Sequence, residues 1–309
     1  MPRKQVHNTP ATASFLGVPL GRATGGEPGG RPIAVLFSTR RALPSERQPS
    51  KQVAAGGIQA AFADAFANRA LRLGELAAWM RAQDAVRSER ALAGRALEAL
   101  ETVVGRFLPG YANLRPDDSK PPRLLIDRGN DTVAVRQVSD GERGVLALVL
   151  DLTRRLVQGN PELDDPVAEA EGMVLIDELE LHLHPKWQRQ VVKKLTKTFP
   201  RCQFIATSHS PQIVASVNPG QVHLLTPTGV IRPRRSRGMD SNWILRHLME
   251  SDDRPGDARA ILESVERAVA EGEFAHARDE IAKAKQNGFD LPEWSVLEAR
   301  IARLEILAE

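Results

Sequence analysis

Three kinds of hydrophobic pattern follow one another along the chain. Short, nearly unbroken apolar runs recur at "PIAVLFST" (32–39), "GMVLIDE" (172–178) and "CQFIATSHS" (202–210). Runs of that length without polar alternation predict strands covered on both faces, as in a parallel sheet. Between them lie stretches of helical period. "GGIQAAFADAF" and the Ala-, Leu-, Glu- and Arg-rich segment from about Leu71 to Phe107 predict helices that stop at "LPG" (108–110). "SDGERGVLALVLDLTRRLV" predicts an apolar helix opened by a Ser-Asp-Gly cap and running to about Val157. "PKWQRQVVKKLTKTF" (185–199) predicts a helix with proline in its first turn, and "PQIVASV" a short one. Strict alternation marks only "RLLIDRGNDTVAVRQV" (123–138), a hairpin about Gly-Asn-Asp, and "QVHLLTPTGVIRP", a final strand pair.

The succession of strand, helix and strand between about 138 and 225 predicts a parallel α/β sheet flanked by helices. From Met239 onward the pattern is amphipathic and helical, broken at Gly272, Gly288 and Pro292, which predicts a helical appendage of two antiparallel helices plus a turn. The lead, 1–31, is rich in Gly, Pro and Thr and predicts loop. Three regions follow: a flexible segment 1–31, an α/β domain 32–238 and a helical region 239–309.

Composition sharpens this only slightly. At 309 residues and 42% hydrophobic content the chain can bury a large core. A net charge of +3 permits contact with nucleic acid without arguing for it. The single cysteine, Cys202, cannot form an internal disulfide, which points to a reducing compartment, the cytoplasm. The sequence has no apolar window long enough for a membrane span, so no membrane partner is expected. Its start lacks the apolar stretch of a signal peptide.

Candidate chemistry gathers at strand ends. "MVLIDE" delivers Asp177 and Glu178 to the carboxyl edge of a parallel sheet, where ligands of open α/β folds bind. In phosphate-transfer sites the first such acid can hold Mg²⁺ and the second can polarise the attacking water. The competing reading is a capping turn before the next helix. "VSDGERGVLAL" places Ser139 and the amides around Gly141 at a helix N-terminus suited to anions. An ordinary N-cap with Glu142 in a capping box reads equally from those residues. "IATSHSP" sets His209 at the end of the following strand, within reach of a phosphate at the same edge or as an ordinary loop histidine. His182 and His184 form an H-x-H pair without a third metal ligand nearby, so packing in the loop is the expected role.

The order of these pieces carries more than any one of them. S-D-G-E opening a helix, about 30 residues, four apolar residues with D-E, E-x-H-x-H-P, and about 20 residues later T-S-H-S-P: this sequence resembles the ATP-binding-cassette ATPases of the RecF/SMC-like and OLD-like group, which fall among the AAA family ATPases. The likeness covers roughly 32–250. It implies a P-loop NTPase-like α/β fold, ATP and Mg²⁺ as cofactors, and nucleotide sandwiched at a dimer interface. By position it implies that Ser139, Asp140, Gly141 and Glu142 form the signature that reads the γ-phosphate on an opposite protomer. Asp177 would be the Mg²⁺-associated acid, Glu178 the catalytic base, "LELHLHP" the D-loop region and His209 the phosphate-sensing switch. The tail beginning "GMDSNWIL" resembles the ATPase subunits of Septu and retron anti-phage systems. DNA maintenance or phage defence is the implied setting, with a separate nuclease and DNA as candidate partners. "RPRRSR" (232–237) reads equally as a phosphate-contact run or as a solvated loop beside the sheet.

One family element is missing from these residues. The cradle G-x-x-x-x-G-K-[ST] does not occur; "GVPLGRATGGEPGG" (17–30) has glycines without Gly-Lys-Ser/Thr. The family's glutamine loop is not identifiable either. The expectation is an N-terminal lobe left incomplete by truncation, by a misassigned start or by a split protein. Two such chains would present two signatures and no cradle. The partner is therefore expected to be a second ATPase protomer or full-length relative that supplies one, and turnover by this chain alone is expected to be slight. The alternative is a non-catalytic DNA- or protein-binding regulatory subunit that retains the fold.

Overall fold

The structure is a computed structural model that describes residues 12–16, 30–42, 57–68, 70–227, 229–251 and 255–308. Its chain divides into two compact units, Met1–Met249 and Glu250–Glu309.

The first unit is built on a six-stranded sheet. Its strands are β1 (Thr12–Leu16), β2 (Ile33–Phe37), β6 (Gly172–Ile176), β7 (Cys202–Ser208), β8 (Val222–Thr226) and β9 (Gly229–Ile231), in the order β2-β6-β7-β1-β8-β9. The three unbroken apolar runs are the parallel core: Phe37 pairs with Ile176, and Ile176 with Ala206. β1 lies antiparallel between β7 and β8, and β9 returns antiparallel on β8. A second, antiparallel sheet holds β3 (Tyr111–Pro116), β4 (Leu124–Arg128) and β5 (Asp131–Ala134).

Helices cover the large sheet. They are α1 (Ile58–Phe62), α2 (Leu73–Val86), α3 (Ala91–Phe107), α4 (Asp140–Gly159), α5 (Pro166–Glu169), α6 (Pro185–Thr198), α7 (Pro211–Val214) and α8 (Ser241–His247). α4 is the central one. Leu146, Val149, Leu150, Leu152 and Leu156 are sealed from solvent, and Gly159 lies so close to Ile33 of β2 that a Cβ there would meet its side chain at 2.6 Å. Asp151 is partly buried beside the buried Arg154 and Arg155, with 2.7 Å contacts to each. Burial would raise its pKa, but the charges of Arg155 and Arg154 hold it well below the usual carboxylate range. The second unit is helical: α9 (Gly256–Glu271), α10 (Phe274–Gln286) and α11 (Glu293–Ala308), around a core of Val265, Ile281, Trp294 and Ile301. Gly272 ends α9 in the left-handed region at φ 81°, as a C-cap glycine does.

The α/β reading with a helical tail holds, and four details differ. Residues 12–16 of the lead form a strand where loop was expected, because β7 and β8 both offer ladder groups to them. The remainder of that lead, up to 29, lies outside the described residues. The sheet is consequently mixed where a parallel one was expected. Tyr111–Pro116, over which the sequence pattern predicts no element, is a strand. It pairs with β4 around an irregularity between Ala112 and Arg115, which hides the alternation that marks a strand. The tail has three long helices where two were expected, since Gly288 and Pro292 separate α10 from a third.

Candidate functional site

Parallel pairing on both sides carries β6 to the carboxyl edge of the sheet and releases the chain there as a turn. The N–H of Asp177 makes the last ladder bond, to the Phe37 carbonyl at 2.9 Å. β7 continues past that level, and Thr207 uses the extra length. Its hydroxyl donates to the Asp177 carboxylate at 2.7 Å and accepts from the Glu178 N–H at 2.8 Å. Its carbonyl accepts from the Leu179 N–H at 2.9 Å. One threonine thereby fastens three consecutive residues. Glu178 stands in the left-handed region at φ 47°. For a side chain with a Cβ that conformation costs on the order of 1–2 kcal/mol. Two further turns follow, closed by Leu181 N–H to the Glu178 carbonyl and Leu183 N–H to the Glu180 carbonyl, with His182 also left-handed at φ 60°.

His209 sits on the same edge. Its backbone N–H donates to the Glu180 carboxylate, and its side chain is exposed. Asp177, Glu178 and His209 are thus gathered where the parallel strands end.

A residue absent from the sequence reading holds the acid turn from beneath. Arg41 follows β2 in the 3₁₀ turn Thr39–Ala42 and is 5% exposed. Its guanidinium donates to the carbonyls of Ser38 (3.0 Å), Asp177 and Glu178 (2.6 Å). Burial lowers its pKa to about 10, against the opposing pull of Asp177, Glu180 and Glu178. It therefore stays cationic at neutral pH, a buried positive charge directly below the acids. The only trace of it in the sequence is the pair Arg40-Arg41 just after an apolar strand, which reads as solvated charge.

Ser139–Glu142 form the N-terminal turn of α4. The Ser139 hydroxyl accepts from the Glu142 N–H at 3.4 Å and donates to the Glu142 carboxylate at 2.7 Å, and Asp140 pairs with Arg143 at 2.5 Å. Both acids sit at the positive end of the helix dipole. Gly141 ties this turn to the other. A Cβ there would lie 2.5 Å from the His182 carbonyl oxygen and 3.6 Å from the Leu183 Cα. Only glycine lets the helix start against that backbone. Arg41 and Asp140 also line one small cavity of about 20 Å³, together with Leu179 and Leu183. The two motifs are neighbours through the 178–183 loop.

His184 caps α6, its Nδ1 accepting from the Lys186 N–H at 3.2 Å, and Pro185 follows at the first turn. Among the described residues no group of three His, Cys, Asp or Glu could hold a metal ion. In "RPRRSR", Ser236 is buried and donates to the Val217 carbonyl at 2.8 Å, and Arg237 reaches Asn218 at 3.0 Å. Arg232, Arg234 and Arg235 are exposed. Among the described residues no helix is long and apolar enough to cross a membrane.

A known family matches the region that carries these turns, and known proteins resemble parts of the chain. Residues 68–215 match the family described as "AAA domain, putative AbiEii toxin, Type IV TA system". The Retron Ec83 probable ATPase of Escherichia coli is 40% identical over 162 residues, 52% of this chain and 30% of that protein. The Retron Vc95 probable ATPase of Vibrio cholerae serotype O1 biovar El Tor is 44% identical over 110 residues, 35% of this chain and 21% of its own length. The Septu protein PtuA of Bacillus mycoides (strain KBAB4) is 36% identical over 96 residues, 31% of this chain and 13% of its own. The chain thus spans less than a third of the length of each of these relatives. The match of 68–215 to an AAA domain takes in the serine-capped turn, the acid pair and Thr207–His209, and the chain is similar to proteins named as retron probable ATPases and Septu PtuA.

Proposed function

We propose that this chain is the catalytic-acid and signature part of an anti-phage defence ATPase, working on ATP sandwiched between two protomers. The observation that supports it most is the acid turn. Asp177 and Glu178 are held at the carboxyl edge of parallel strands by Thr207 and Arg41, beside His209. Glu178 is the base that takes a proton from the attacking water. His209 contacts the γ-phosphate, and Ser139, Asp140, Gly141 and Glu142 face the phosphate bound by the opposite protomer.

The donor set around Asp177 suits Mg²⁺. One carboxylate oxygen accepts from Thr207, and among the described residues the other has no protein partner. A magnesium ion bound with ATP typically takes one or two carboxylates besides phosphate oxygens and water. Asp177 would hold it; when bound it supplies positive charge against the phosphates. Fixing that carboxylate is the work of Thr207, and Arg41 keeps both acid carbonyls from swinging toward the ligand.

The 309 residues hold no Gly-Lys-Ser/Thr cradle, so the β- and γ-phosphates need amides and a lysine from outside them. ATP turnover should therefore be measured for the chain alone and mixed with a full-length relative. Glu178→Gln serves as the control in both. Expected is background for the chain alone and turnover above the control in the mixture. Turnover by neither sinks the catalytic reading. The second reading is a regulatory subunit that keeps the fold without hydrolysis. Association with the relative that is indifferent to nucleotide would support it.

A further inference from the structure

Among the described helices, the most one-sided charge lies on α6, away from the acid turn. This helix carries Lys186, Arg189, Lys193, Lys194 and Lys197 and no acidic residue. The whole chain has 42 basic and 39 acidic residues, net +3, so without this helix it would stand at −2. Such loading works against the helix itself. Arg189–Lys193 and Lys193–Lys197 are like charges four apart, each unfavourable by about 0.2–0.5 kcal/mol. Lys186 and Arg189 also crowd the positive end of the dipole.

Protein contacts engage two of the five: Arg189 Nε donates to Gln212 Oε1 at 2.5 Å, and Lys194 is packed. The Lys194 ammonium donates to the Phe107 carbonyl at 2.8 Å and lies over the Trp187 ring at 4.4 Å. Val191, Leu195 and Thr198 form the buried side of the helix, which leaves Lys186, Arg189, Lys193 and Lys197 exposed. The last two open onto a concavity of about 820 Å³, whose wall also includes Arg106 of α3 and Gln190. Among the described residues Arg106, Lys193 and Lys197 make no ion pair. Acids of the adjoining α5 segment are engaged elsewhere. Glu171 holds Arg201 at 2.5 Å, and Glu169 accepts from the Asp165 N–H at 3.1 Å.

We propose that this face is a docking surface for the phosphodiester backbone of nucleic acid. The cations are strung along the helix: Lys186 to Lys197 spans about 16 Å, the rise of roughly five nucleotides of a duplex strand. A single phosphate would call for convergent donors. Position separates the surface from the nucleotide edge. α6 starts at the carboxyl edge, after the acid turn, and ends just before β7 begins, so Lys193 and Lys197 lie toward the opposite edge of the sheet. Binding there does not require the ATPase reading to hold.

The test is anisotropy of a labelled 20-base-pair duplex and of a single strand against the purified 309-residue chain, titrated at several salt concentrations. Three phosphate contacts predict a log–log salt slope near about −2.7 for duplex, and a shallower one, about −2.1, for single strand. Lys193→Gln/Lys197→Gln should weaken binding at least tenfold at low salt and flatten the slope by nearly two units. Arg234→Gln/Arg235→Gln, in the other basic run, and Glu178→Gln should leave both unchanged. The proposal is overturned if the Lys193/Lys197 variant binds like the parent, if the loss follows Arg234/Arg235 instead, or if millimolar pyrophosphate displaces the duplex. Far-ultraviolet dichroism of the exposed-lysine variant confirms that its fold is intact.

Discussion

The two turns that make up the candidate site are secured in opposite ways. The turn at 139–142 is almost self-sufficient: Ser139, Asp140, Glu142 and Arg143 satisfy one another within a single helical turn. The turn at 177–180 depends on residues far away in the chain, Arg41 and Thr207, and on strands that bring its ends to the sheet edge. A cap of the first kind can form wherever its helix forms. The second exists only when the whole sheet is assembled. The proposed catalytic turn thus depends on long-range contacts across the sheet, and the local turn meets it through Gly141.

The largest expected effect changes chemistry without touching either anchor. Glu178→Gln should lower turnover of the completed ATPase by about 10²–10⁴-fold, as general-base removal does, with unchanged melting temperature. Arg41→Met attacks the distant anchor. Two partly buried carbonyls lose their donor, at up to about 1–3 kcal/mol each, so denaturant unfolding should show clear destabilisation and turnover should fall with it. Thr207→Val should cost less stability than Arg41→Met. Gly141→Ala forces a Cβ toward the His182 carbonyl and should cost about 1–3 kcal/mol, like other overpacked contacts. Its counterpart is Gly144→Ala, one turn on with nothing within 4 Å of the new Cβ, which should stabilise by about 0.5–1 kcal/mol. Equal effects of the two would break the claim that the helix start is pressed against the loop. Smaller still, Ser139→Ala should cost about 1 kcal/mol, the worth of a lone cap.

Acid sensitivity separates helix from turn in another way. Asp151, on α4, is held ionised by Arg155 and Arg154, so its folded pKa lies below its unfolded one. The unfolded chain binds the extra proton, and stability rises with pH through that window. The contribution is complete above about pH 4 and is lost as pH falls through the depressed value. Asp151→Asn should flatten the acid limb of a pH–stability curve.

What could be read from the sequence follows the same division. Buried parallel strands announce themselves as unbroken apolar runs, and Ser139 with Glu142 three residues on is a local signal, so β6, β7 and the start of α4 were legible. The acid pair was legible because it ends such a run. Arg41 was not, since its partners are backbone carbonyls 136 and 137 positions away and no residue pattern records them. β3 was hidden by its irregular pairing, and β1 by a composition that suits loops. The cations of α6 were visible as letters. That they share an exposed face with Arg106 required the packing of α3 beside them.

The left-handed backbone at Glu178 bears on how this domain can be engineered. Glycine, and to a lesser degree asparagine, would sit at φ 47° with less strain than glutamate does. A library selected for thermal stability alone should therefore drift to those residues at 178 and discard the acid, while one selected for turnover keeps it. Position 178 is a place where the two selections pull in opposite directions, and the melting temperature surrendered there measures how strongly function is being maintained.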